Sequence, residues 1–170
     1  MISNKIQLII PSLLDQMYQV EKFVEEICDE FNINNTYFGN IIVALTEAVE
    51  NAIKHGNANN SSKKVEITFI TKNEGLSFVV KDEGAGFNAN TIPDPTDINT
   101  KEEETKGRGI FLIKSLADEV NFLGKGNEVE IIFKIASINS EMAIERIQQL
   151  KKYSGMGVKK TSSTDLNELS

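Results

Sequence analysis

The chain opens on a strict alternation. Ile6, Leu8 and Ile10 share one parity and Lys5, Gln7 and Ile9 the other, the period-two signature of a first strand that ends at Pro11. The period then changes to that of a helix. Leu13, Leu14, Met17, Val20, Phe23, Val24, Ile27 and Phe31 recur at helical spacing. Ser12 is the expected cap, and Asp15 falls in the first turn, where a carboxylate suits the helix dipole. Asn34-Asn35-Thr36 breaks that helix and caps a second, whose apolar stripe is Phe38, Ile41, Ile42, Leu45, Val49, Ala52 and Ile53. His55-Gly56-Asn57 closes it, with Gly56 expected in the left-handed conformation common just past a helix end.

A polar run from Ala58 to Lys63 leads into two more alternating segments. Val65, Ile67 and Phe69 form one buried set and Leu76, Phe78 and Val80 the other, joined by the hairpin signal Asn73-Glu74-Gly75. From Asn88 to Lys106 periodicity disappears, and Pro93, Pro95 and the charge run Lys101 to Glu104 mark a long loop of the kind that serves as a lid. A third helix is expected from about Gly109 to Asp118. Strands Val120 to Leu123 and Val129 to Ile135 follow, around a turn at Gly124-Lys125-Gly126-Asn127. This order predicts an α+β fold, a two-layer α/β sandwich in which helices cover one face of a mixed or antiparallel sheet. Residues 1–136 make up the expected functional domain. Residues 137–170 read as an extension: Met142, Ile144, Ile147 and Leu150 suggest one short helix before a loose tail of small and polar residues.

Composition narrows the function. The 170 residues suit one domain with a full core, and the net charge of -7 argues against nucleic acid or an anionic membrane surface as the main partner. No apolar run is long enough to span a bilayer, and the start lacks the basic and apolar regions of a signal peptide, so a cytoplasmic protein is expected. The single cysteine, Cys28, lies in an apolar helical stripe and reads as a core residue. There is no Cys/His cluster for zinc and no G-x-x-x-x-G-K-[ST] loop.

Three boxes carry the candidate chemistry. In ALTEAVENAIKHGN, Glu47 and Asn51 are four apart and project from one side of the second helix. An amide oxygen is a suitable hard ligand for Mg²⁺, and a carboxylate one turn away can take a proton in phosphoryl transfer. Alone, the pair is also an ordinary solvated helix face. In DEGAGF, Asp82 stands at a strand end, where its carboxylate can accept from the exocyclic amine of adenine. Gly84 and Gly86 let the backbone approach a flat ring. A strand-capping turn has the same composition. In TKGRG, Lys106, Gly107, Arg108 and Gly109 stand just before the expected third helix, where free N–H groups and cations suit phosphates, although a plain loop-to-helix junction reads alike. The lone His55 reads as a polar helix-end residue. The order and placement of all three favour a magnesium-nucleotide site.

EAVENAIKHG, DEGAGF and GRGIFLIK resemble the N-box and two glycine boxes of the GHKL ATPase superfamily, and GRGIFLIKSLADEV is most similar to anti-sigma-factor serine/threonine kinases of the RsbW type. The resemblance covers residues 1 to about 136. It implies a Bergerat fold with ATP between helices and sheet under a lid. By motif match it implies Asn51 as magnesium ligand, Glu47 as general base and Asp82 at the adenine amine. Gly84 and Gly86 would lie beside the ring, and Gly107, Arg108 and Gly109 at the phosphates. It also implies phosphorylation of an anti-sigma-factor antagonist and separate binding of a sigma factor; self-association into a homodimer stays open. One departure is that Gly126-Asn127-Glu128 stands where family members often carry Gly-Thr, leaving Asn127 as the polar group there. A non-catalytic nucleotide-sensing module of the same fold is the alternative. Topoisomerase-type machines and histidine kinases need further domains for which this chain has no room.

Overall fold

The computed structural model describes residues 5–73, 75–86 and 102–134. The chain divides into two compact units, Met1–Lys134 and Ile135–Ser170. All described residues belong to the first, so the expected C-terminal helix and tail lie outside them, as do residues 88–101 of the expected lid, while its last five residues, 102–106, are helical.

Five strands form one sheet in the order β1-β2-β3-β5-β4: β1 is Lys5–Pro11, β2 Lys64–Lys72, β3 Gly75–Lys81, β4 Glu119–Leu123 and β5 Glu128–Lys134. Every neighbouring pair is antiparallel, which settles the sheet as antiparallel and not mixed. The two-residue connection 73–74 joins β2 to β3 with Lys72 opposite Gly75, as the hairpin signal predicts. Three helices complete the α+β fold: α1 is Met17–Glu30, α2 Asn35–Asn51 and α3 Glu102–Leu116.

Alternation decides which face is buried. Ile10, Val65, Ile67, Phe69, Phe78, Val80, Ile131 and Phe133 share one face and are all buried, alongside Val20, Val24 and Ile27 of α1 and Ile41, Leu45 and Val49 of α2. A chain of rings runs through this core. Phe31 lies 5.2 Å from Phe69, Phe69 lies 5.1 Å from Phe78, and Phe78 meets Phe133 edge-on at 6.4 Å. Such offset and edge contacts suit the ring quadrupoles. Polar pairs populate the opposite face, where Glu130 accepts from Ser77 Oγ at 2.8 Å and also pairs with Lys72. Cys28 is buried as expected, and burial, helped by Asp29, pushes its thiol up to about 11.

Three local expectations are corrected. Ser12 does not cap the first helix. A 3-10 turn, Leu14–Gln16, precedes α1, and Ser12 is buried with its Oγ accepting from Asn57 Nδ2 at 2.5 Å. Asn34 does cap α2, its side chain accepting from Tyr37 N–H at 3.1 Å. Gly56 is not the left-handed residue, since Ala58 and Asn59 take φ of 51° and 58°. α2 instead widens into a π turn, Ala52–Gly56, closed by Asn57 N–H to Ala52 O at 2.8 Å. Finally, α3 begins at Glu102, seven residues before the expected Gly109. Glu102-Glu103-Glu104 are good helix formers whose charge suits a helix N-terminus, but they carry no apolar period to betray the helix.

Phe69 links the α1 end of the ring chain to the sheet. Phe69→Ala should cost about 3–5 kcal/mol of unfolding free energy, read as a lower denaturation midpoint at unchanged slope.

Candidate nucleotide site

The site forms where the end of α2 meets the end of β3. A cavity of about 160 Å³ is lined by Ala48 and Asn51 of α2, by Ala52, His55 and Gly56 of the π turn, and by Val80, Asp82, Ala85 and Gly86. Ile110 and Ile113 of α3, Phe122 of β4 and residues 126–129 close it. A π turn at the cavity wall is in keeping with the frequent placement of such turns at functional sites.

Asp82 is 9 % exposed and anchored on every side. Its Oδ1 accepts from Gly84 N–H at 2.7 Å, its N–H donates to Asn127 O at 2.9 Å, and its carbonyl accepts from Asn127 Nδ2 at 3.0 Å. Gly56 lies against the same carboxylate: a Cβ there would stand 2.2 Å from Oδ2. A Cβ on Gly84 would stand 2.0 Å from the Gly56 carbonyl oxygen. Gly86, at φ +85°, backs onto Lys125 O and would collide with it at 2.0 Å. The second box is therefore a turn that only glycines can pack. The amide of Asn127 holds the Asp82 backbone, so the polar group at the position of the family's threonine serves the loop.

Glu47 and Asn51 do share a side of α2, and α3 packs on them. A Cβ on Gly109 would come 3.0 Å from both Asn51 Nδ2 and Glu47 Oε1. Asn51 lines the cavity; Glu47 stands one turn away, outside its lining. The Glu47 carboxyl is pushed up from its ordinary 4.5, first by burial, then by the carboxylate of Glu50, with Lys54 opposing. Lys54 itself sits 3.8 Å from Glu50.

The third box departs from its expected setting. Gly107, Arg108 and Gly109 lie inside α3, beyond the four N–H groups that a helix leaves unpaired at its start. Gly107 is buried and Arg108 exposed, while the Lys106 side chain lies outside the described residues. Of this box, Gly109 meets the Glu47–Asn51 pair. Phe122, Ile110 and Ile113 were not singled out from the sequence. Their signal was the strand parity of Phe122 and the helical spacing of the two isoleucines. Lys114 Nζ stands 5.9 Å from the centre of the Phe122 ring, within cation–π range.

Helices thus lie over one face of an antiparallel sheet, beside a cavity that the first two boxes line with Asn51, Gly56, Asp82, Ala85 and Gly86 and that α3 closes with Ile110 and Ile113. The chain belongs to the histidine kinase-like ATPase domain family, whose sequence model matches residues 10–133. An ATPase domain implies ATP as the nucleotide, in agreement with the resemblance of the boxes. No curated protein matches the sequence. Among solved structures, the chain is similar to the RsbU and RsbW domains of Rv1364c from Mycobacterium tuberculosis, with a TM-score of 0.54 and 15% identity over 77% of this chain. That likeness is one of fold, and this chain spans 32% of the other's length. No helix among the described residues is long and apolar enough to cross a membrane.

Two outcomes follow from the geometry. Gly84→Ala forces a methyl into a backbone oxygen that cannot yield locally, so it should lower stability by about 1–3 kcal/mol and abolish nucleotide binding, read by thermal shift with and without ATP. For Glu47, a folded pKa above the unfolded value means that ionisation opposes folding. The penalty is absent below the unfolded pKa and fully present above the folded one. Glu47→Gln should therefore raise Tm at pH 7, and the gain should vanish below about pH 4, where wild type is protonated.

Proposed function

We propose that this domain is an ATP-dependent protein serine/threonine kinase and anti-sigma regulator, which phosphorylates an anti-sigma-factor antagonist in a partner-switching system. The observation that carries this reading is the convergence of Glu47 and Asn51 on Gly109, beside a cavity whose far wall presents Asp82. The cavity is smaller than the roughly 300–1,000 Å³ of common ligand clefts, so it suits the base, with ribose and phosphates towards α3. Asp82 accepts from the adenine amine while Gly84 and Gly86 let the backbone lie close to the ring.

The donor set fits Mg²⁺ brought with the nucleotide. Asn51 offers one hard oxygen, and among the described residues no group of three or more His, Cys, Asp and Glu forms an all-protein site. When bound, the ion neutralises charge on the transferring phosphoryl group. Glu47 accepts the proton of the serine hydroxyl as that oxygen bonds the γ-phosphorus and ADP departs. Its raised pKa makes it a better base than an exposed glutamate. Lys106 and Arg108 contribute cations near the phosphates, with Gly107 and Gly109 keeping the backbone close. The partners are the antagonist and, separately, a sigma factor, with a homodimer as a further assembly; such a system operates in the cytoplasm.

A second reading is favoured by one observation. Because α3 runs through the third box, the N–H groups of Gly107 and Gly109 are engaged within the helix. A nucleotide-sensing protein-binding module without catalysis is compatible with that arrangement.

Labelled ATP, magnesium and a candidate antagonist separate the two. Wild type should transfer phosphate to serine or threonine. Glu47→Ala should bind ATP nearly as well but transfer about 10²–10⁴-fold more slowly. Asn51→Ala should lose magnesium-dependent binding. Undiminished transfer by Glu47→Ala removes the proposed base, and bound ATP without transfer by wild type to any antagonist favours the module.

A further inference from the structure

Asn57 follows the π turn at the end of α2 and is 1 % exposed. A buried amide must satisfy its hydrogen bonds, and this one does so across three segments. Nδ2 donates to Ser12 Oγ at 2.5 Å and to Lys64 O at 2.9 Å, while Oδ1 accepts from Glu83 N–H at 2.8 Å. The orientation of the amide is determined, because the Glu83 N–H can only donate and the Lys64 carbonyl can only accept. Glu83 Oε2 accepts in turn from Lys64 N–H at 2.6 Å, a second tie between the start of β2 and this loop.

Glu83 is the residue next to Asp82. Asn127 clasps the N–H and carbonyl of Asp82 itself. The Glu83 N–H belongs to the peptide unit that follows Asp82, so holding it fixes how the Asp82 backbone leaves the turn. We propose that Asn57 is a positioning residue for base selectivity: by holding the Glu83 amide it fixes the direction in which the Asp82 carboxylate faces the cavity, and so sets the preference for a 6-aminopurine. This rests on the nucleotide-binding reading given above. The alternative, that Asn57 merely ties the fold together, makes a different prediction for selectivity.

Calorimetry with two ligands distinguishes them: ATP, and purine riboside 5′-triphosphate, which lacks only the 6-amino group. Wild type should prefer ATP about tenfold or more, the worth of a hydrogen bond to a charged acceptor. In Asn57→Ala the ratio should fall towards one, while circular dichroism still shows a cooperative fold. Asn57→Asp keeps an acceptor for the Glu83 N–H and should retain most of the preference, although it melts lower because its carboxylate faces the Lys64 carbonyl. An Asn57→Ala protein that binds both ligands more weakly at an unchanged ratio overturns the proposal. Wild type that binds both equally overturns it too. Wild type that binds neither removes the nucleotide reading beneath it. Should Asn57→Ala not fold, the ratio is read on Asn57→Ser, whose hydroxyl is too short to reach both Lys64 O and Glu83 N–H. Independently, the wild-type Glu83 amide should be protected from hydrogen exchange; exchange at the rate of an open loop would overturn the proposal without any variant.

Discussion

The site depends on how closely the end of α2 can approach the end of β3. Gly56 and Gly84 pack backbone on backbone, with the Asp82 carboxylate between them, and neither tolerates a Cβ. A Cβ on Gly56 would strike that carboxylate and one on Gly84 the Gly56 carbonyl, so only glycine lets the two ends come this close. Glycine here serves as absent volume. That differs from its usual service as a conformational joint, which Ala58 and Asn59 perform a few residues later at positive φ. The π turn belongs to the same constraint, because widening the last turn of α2 carries Gly56 to the loop and delivers Asn57 into the interior.

A second constraint sets the electrostatics. α3 covers one side of α2 at Gly109, and Glu47 lies beneath the approach with Glu50 nearby. Partial burial next to a like charge is unfavourable for folding, and nothing in the core requires an acid there; Ala44, Leu45, Ala48 and Val49 already supply the buried face of α2. A carboxyl held in such a place against its own preference is a functional-site candidate on physical grounds. It also fits the general pattern in which sites trade stability for chemistry.

The sheet was legible because its inward residues alternate without exception from Val65 to Phe69 and from Leu76 to Val80. Turn chemistry at Asn73-Glu74-Gly75 pinned the register. Asn34 was legible as a cap for the same local reason. Features that depend on tertiary partners were not. Ser12 has the right residue type and spacing for a cap, but a buried amide 45 positions away takes its hydroxyl. The first turns of α3 carry no hydrophobic period, so helix propensity and dipole were the only signals, and a run of charges resembles a loop. Of the candidate residues, the structure brings together Glu47, Asn51 and Gly109 in one group and Asp82, Gly84 and Gly86 in another. Asn57 escaped because an asparagine closing a helix looks like ordinary turn chemistry until its burial is seen.

The placement of the third box inside α3 has a consequence for how a nucleotide's phosphates are received. Backbone N–H groups bind anions when no carbonyl already holds them, which is why helix starts and glycine loops serve this purpose. In the described conformation those of Gly107 and Gly109 belong to a helix that begins at Glu102. Two glycines within three residues weaken that helix by about 1 kcal/mol each relative to alanine. Its acidic first turn, by contrast, is favoured by the dipole and disfavoured by any phosphate brought near. The sequence thus places the weakest helical residues beside Asn51 and the charges most averse to phosphate ahead of them. Anion binding by the N–H groups of Gly107 and Gly109 and continuity of α3 through them would compete for the same donors.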